Sequence, residues 1–76
     1  MFYSGLVVTC APEHLLAVQT ELRSLPGVEI HQTDSETGRI VIVLEEESID
    51  AETDRFAQIR KLENVIDVSL VVHREA

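Results

Sequence analysis

Two short segments say most about how this chain can fold. Leu25-Pro26-Gly27-Val28 and Leu62-Glu63-Asn64-Val65 stand 37 positions apart. Each closes an apolar stripe of helical spacing and opens a run of strand-like alternation. Glycine and asparagine, at Gly27 and Asn64, are the residue types that most readily end a helix in the left-handed conformation. Leu15, Val18, Leu22 and Leu25, at spacings of three and four, make the first stripe. Ile49, Phe56, Ile59 and Leu62 make the second. A chain that goes from helix to strand twice in this way reads as two related halves.

Each half also has a strand ahead of its helix. Tyr3 to Cys10 contains the β-branched run Leu6-Val7-Val8-Thr9. Pro12 then suits the first helical turn, where its missing N–H is harmless, and Glu13 adds favourable charge there. Arg39 to Glu45 carries the unbroken apolar run Ile40 to Leu44. Ser48 can cap the helix that follows, with Asp50 and Glu52 in its first turn. Val28 to Thr33 alternates apolar and polar, and Asp34-Ser35-Glu36-Thr37-Gly38 is turn chemistry that joins it to the Arg39 strand as a hairpin. Val65 to His73 is the last strand, leaving Arg74-Glu75-Ala76 as a short tail. The order strand, helix, strand, strand, helix, strand is the split βαβ, or ferredoxin-like, α+β plan. One domain is expected over residues 1–76, with an antiparallel sheet in the order 4-1-3-2 and both helices on one face.

Two helices leave the other face of such a sheet uncovered. Strict alternation puts Leu6, Val8, Val28, Ile30, Ile42, Leu44, Val68 and Leu70 toward the helices. The open face then shows Val7, Thr9, Glu29, His31, Thr33, Val41, Val43, Ser69, Val71 and His73. Its centre is apolar, at Val7, Val41, Val43 and Val71, and polar groups surround it. An apolar centre with a polar rim suits a protein-binding patch. Self-association through the face, or simple strand propensity of the valines, would give the same pattern.

Fourteen acidic residues against six basic ones give a formal charge of −8. That argues against nucleic acid, whose phosphates need clustered Lys and Arg. It suits a basic partner, or serves only for solubility. Cys10 is the one cysteine, so no internal disulfide is possible, which fits a reducing compartment. The start of the chain lacks a positive leader region, and no run approaches the ~20 apolar residues of a membrane helix. The expectation is a cytoplasmic protein without a membrane span.

Chemistry-bearing patterns are sparse. His14, His31, His73 and Cys10 do not converge in this plan; His31 and His73 lie on opposite edges, roughly 14 Å apart at ~4.8 Å per strand. With Gly5, Gly27 and Gly38 the only glycines, there is no phosphate-cradling loop. The first strand–helix turn, Cys10-Ala11-Pro12-Glu13, has no basic residue, which disfavours a small acyl-phosphate hydrolase. Ser4, Ser24, Ser35, Ser48 and Ser69 have no evident His partner. The reading is a binding module and not an enzyme, with no catalytic residue, no metal and no cofactor. Glu45-Glu46-Glu47 is either a dock for a basic partner or a solvated strand end.

Several stretches resemble the NapD family. They are Leu6-Val7-Val8 followed by Pro12-Glu13; Leu25-Pro26-Gly27-Val28-Glu29-Ile30-His31; Thr37-Gly38-Arg39-Ile40-Val41-Ile42-Val43-Leu44-Glu45; and Val65-Ile66-Asp67-Val68-Ser69-Leu70-Val71-Val72-His73. The similarity spans about residues 5 to 73. Gly5 stands where the family more often has serine. The resemblance implies a chaperone of ferredoxin-like fold that binds the twin-arginine signal peptide of the nitrate reductase catalytic subunit. Such a chaperone delays export until that precursor is folded and loaded with cofactor, and carries no cofactor itself.

Joined to the open face, this gives a specific expectation. The signal peptide, as an amphipathic helix, lays apolar side chains on Val7, Val41, Val43 and Val71, while its arginines are drawn to Glu29, Glu45 and Asp67. Thr9, His31, Ser69 and His73 complete the candidate peptide-binding set. The protein is expected as a monomer or weak dimer. A dimeric regulatory ligand-sensing domain shares the same plan and is the alternative.

Overall fold

The computed structural model describes residues 1–75. The chain runs β1 (Phe2–Cys10), a short 3-10 turn (Pro12–His14), α1 (Leu15–Arg23), β2 (Val28–Asp34), β3 (Arg39–Glu46), α2 (Ile49–Arg60) and β4 (Val65–Glu75). The four strands form one antiparallel sheet in the order β2-β3-β1-β4, the expected order read from the other edge. This is the ferredoxin-like α+β fold. β4 continues two residues past His73, so Arg74 and Glu75 belong to the sheet and not to a tail. Ala76 lies outside the described residues.

The repeated segments fold alike. The Val28 N–H donates to the Leu25 carbonyl, as the Val65 N–H does to that of Leu62. Gly27 and Asn64 have φ of 81° and 76°. The same left-handed residue thus turns each helix into its strand. Pro12 opens the 3-10 turn ahead of α1. Ser48 caps α2 with its hydroxyl, which accepts from the Ala51 N–H at 3.1 Å. In the hairpin between β2 and β3, Gly38 takes φ 73°, and its N–H donates to the Asp34 carbonyl at 2.9 Å.

The core lies between the helices and one face of the sheet. Leu6, Val8 and Cys10 of β1, Ile40, Ile42 and Leu44 of β3, and Val68 of β4 meet Leu15, Val18 and Leu22 of α1 and Ile59 of α2. Leu25, Val28, Ile30, Phe56, Leu62 and Val65 pack around them. Burial pushes the Cys10 thiol above its ordinary value of 9.0, which keeps it a small apolar filler.

Strict alternation fails at three places. The β2–β3 register skips His31, and the β1–β4 register skips Val71 and Ile66. Each skip is a β-bulge, in which two residues of an edge strand oppose one residue of its neighbour. Past a bulge the parity of the strand reverses. Thr33 pairs with Ile40 and so falls on the helix side, not the open face. His73 pairs with Ser4 and also moves to the helix side, while Val72 and Arg74 take open-face positions opposite Gly5 and Tyr3. In α2 the apolar stripe does not begin at Ile49, which is exposed; Glu52 is buried in its place.

Candidate functional site

On the uncovered face, the strand registers arrange side chains in cross-strand rows. Gln32, Val41, Val7 and Ser69 make one central row, and Glu29, Val43, Gly5 and Val72 make the other. A third row, Asp34, Arg39, Thr9 and Asp67, closes one end. Glu45, Tyr3 and Arg74 close the other. Apolar side chains therefore concentrate on the two middle strands and on Val72, with charged residues at both ends. Val71, the extra residue opposite Gly5, is well exposed.

Polar contacts on this face stay within its rim. His31 Nε2 lies 4.0 Å from Glu29 Oε1, both exposed. The Ser69 hydroxyl donates to Asp67 at 3.1 Å, and the Tyr3 hydroxyl reaches Glu45 at 3.5 Å. Asp34 is already engaged with its own turn. Its Oδ1 accepts from the Glu36 N–H at 2.9 Å and the Thr37 N–H at 3.4 Å. Those hydrogen bonds, the one from Glu36 foremost, hold its carboxyl below the ordinary 3.8. Glu29, Glu45 and Asp67 are the carboxylates without a backbone claim in the rows above.

Gly5 shapes the centre. With no side chain there, the face dips into a hollow of about 440 Å³ lined by Tyr3, Val43, Val72 and Arg74. A Cβ on Gly5 would sit 2.8 Å from Val72 Cγ1.

Of the residues expected on this face from the sequence, Val7, Thr9, Glu29, Val41, Val43, Glu45, Asp67 and Ser69 come together on it. His31 sits at a bulge beside Glu29, and Val71 at another. His73 is turned away: its Nδ1 lies 2.8 Å from Glu52 Oε1 and 3.1 Å from Ser4 Oγ, under α2. Sequence reasoning passed over Tyr3, Gly5, Val72 and Arg74. The first two have the same parity as Val7 and were legible; the last two depend on the bulge at Val71. Among the described residues no group of three or more His, Cys, Asp or Glu could hold a metal ion, and no helix is long and apolar enough to cross a membrane.

Comparison with known proteins agrees with this fold. The family model described as NapD protein matches residues 3–76. The chaperone NapD of Escherichia coli K12 is 31% identical over 71 residues, covering 93% of this chain and 82% of that protein. The chaperone NapD of Haemophilus influenzae is also 31% identical over 71 residues, covering 93% and 76%. The solution structure of the E. coli Tat proofreading chaperone NapD superposes with a TM-score of 0.90 at 29% identity, over 99% of this chain and 80% of that one. With family match, relatives and fold in accord, the chain belongs to the NapD family of chaperones.

Proposed function

We propose that this protein binds the twin-arginine signal peptide of the nitrate reductase catalytic subunit on its open sheet face. It acts in the cytoplasm as a chaperone and not as an enzyme, and keeps the precursor from export until that subunit is folded and loaded with cofactor. The observation that carries the reading is the pattern of rows: valines and a glycine hollow at the centre, charge at both ends. A helical peptide with an apolar stripe can lay that stripe along the centre. Glu29, Glu45 and Asp67 then offer charge-assisted hydrogen bonds to arginines. The net charge of −8 favours encounter with a basic segment. The described E. coli relative is a Tat proofreading chaperone, which accords with a Tat signal as the ligand.

The test is a titration of isotopically labelled protein with the synthetic signal peptide, followed residue by residue in NMR. Shifts are expected at Val7, Val41, Val43, Ser69 and Val72. Shifts confined to the outward surfaces of α1 and α2, or none at all, would overturn the reading.

A further inference from the structure

The two outer strands of the sheet present different edges. β2 is one of them, and it carries Glu29 and Asp34 but no Lys or Arg. A second copy brought against that edge would meet like charge. β4 is the other. It is the longest strand, with eleven residues, and Ile66, Leu70, Val71 and Val72 stand exposed along it. Leu70 is opposite the buried Leu6 in the ladder, yet it borders the cleft of about 190 Å³ under α2 and stays exposed. A long apolar edge, with outward N–H and C=O groups, is a template for another strand.

The interruption at Val71 decides which strand fits. In antiparallel pairing, residues that oppose each other point to the same face. Asp67 stands opposite Thr9 and Arg74 opposite Tyr3, so both point to the open face. An uninterrupted strand would put Asp67 and Arg74 on opposite faces; the bulge between them gives them a common one. The same holds for Ser69, opposite Val7, and Val72, opposite Gly5. A second β4, running antiparallel about a two-fold axis between Leu70 and Val71, sets bulge against bulge. Ser69 then meets Val72, and Asp67 meets Arg74, once on each side of the axis. Val68 and His73, both on the helix side, also come opposite each other. With the axis on Leu70 instead, Val68 would meet Val72 and the two would point to opposite faces.

We propose that β4 pairs in this register with β4 of a second copy of the chain, giving a two-fold dimer with one continuous sheet. Leu70 and Val71 lie at the axis, and an Asp67–Arg74 pair closes the contact at each end. The Ser69 hydroxyl engages Asp67 Oδ2 and leaves Oδ1 for the guanidinium. Opposite charges directly across a strand pair add stability, and like charges remove it. The contact uses the strand edge, so the two open faces stay uncovered and lie side by side. It does not rest on the proposed function.

The test is sedimentation of the full chain from micromolar to millimolar concentration. The average mass should rise from one chain toward two. One chain mass throughout, or growth past two, would overturn the inference. Asp67→Arg and Arg74→Asp should each weaken self-association about tenfold, because the axis repeats every contact. Their equimolar mixture should restore it, since each Arg then faces an Asp again. Unchanged association in the single variants, or no rescue on mixing, would refute the register. Isotope-filtered NMR on mixed labelled and unlabelled wild-type chain stands even if a variant folds poorly. Contacts between chains are expected from Ser69 to Val72 and from Asp67 to Arg74. Contacts confined to Val7, Val41 and Val43 would mean that copies meet face to face and would overturn the edge. Dissociation of the dimer by a twin-arginine peptide whose backbone pairs with β4 would assign the edge to the peptide instead.

Discussion

Replacing Val41 with aspartate puts a carboxylate at the middle of the open face, between Val7 and Gln32. The apolar side chains most available to a peptide there are Val41, Val71 and Val72, which are 37, 67 and 47% exposed. Those fractions amount to about one and a half valine side chains, worth roughly 2–5 kcal/mol on full burial. Ordering a disordered peptide on binding costs a similar ~2–5 kcal/mol. The two nearly cancel, so the net affinity must come from the half-buried Val7 and Val43, from charge and from hydrogen bonds. A binding free energy so finely balanced has little reserve against one misplaced group. Aspartate at position 41 forfeits roughly 0.5–1 kcal/mol of apolar burial. It also leaves a desolvated polar group unpaired, for another ~1–3 kcal/mol. The sum raises Kd about 10- to 700-fold at ~1.4 kcal/mol per decade. Because the side chain points away from the core, the fold should lose no more than the ~1 kcal/mol range of strand propensity. Calorimetric titration with the signal peptide, alongside a urea melt, reads both quantities. A Kd within threefold of wild type in a folded variant would show that the peptide does not cover Val41.

Two further predictions concern the hairpin beside β1. Gly38→Ala should destabilise the chain by more than about 2 kcal/mol, seen as a lower urea midpoint, because φ is 73° and a new Cβ would run into the Cys10 carbonyl. Asp34 has its pKa depressed in the folded state, so its contribution is present above the ordinary 3.8 and is lost as pH falls through the lower folded value. Asp34→Ala should therefore flatten the acid limb of the stability curve below that pH, in urea melts across the range, and an unchanged limb would contradict the turn geometry.

The element order, the sheet order and the helix-covered core were legible from stripes and alternation. The reason is that Leu15, Val18 and Leu22 on α1, and Ile40, Ile42 and Leu44 on β3, have one periodicity each and no competing role. The turns were legible because Gly27, Gly38 and Asn64 are the residues that tolerate positive φ. The central valines of the open face were legible for the same reason as the core, since β1 and β3 pair regularly with each other. The edges were not. Bulges at His31, Ile66 and Val71 fall among ordinary strand residues, with no glycine or proline to mark them, and counting by twos carries each error onward. That is how His73 came to be expected beside Ser69 when it lies under α2. Glu52 was read as a charge at a helix start, which it is. Its burial follows from standing one turn ahead of Phe56 and two ahead of Ile59, on a stripe where its type conceals its position.

In β4 the interruption at Val71 has a consequence for how the protein tolerates change in length. Leu70 and His73 address the cavity under α2, while Ser69 and Val72 address the opposite surface, a division that an uninterrupted strand cannot make with those spacings. Removing Val71 would restore even pairing without turning its neighbours over, since Val72 already stands opposite Gly5 and His73 opposite Ser4. At this point in the chain, the loss of one residue leaves the facing of every paired side chain unchanged.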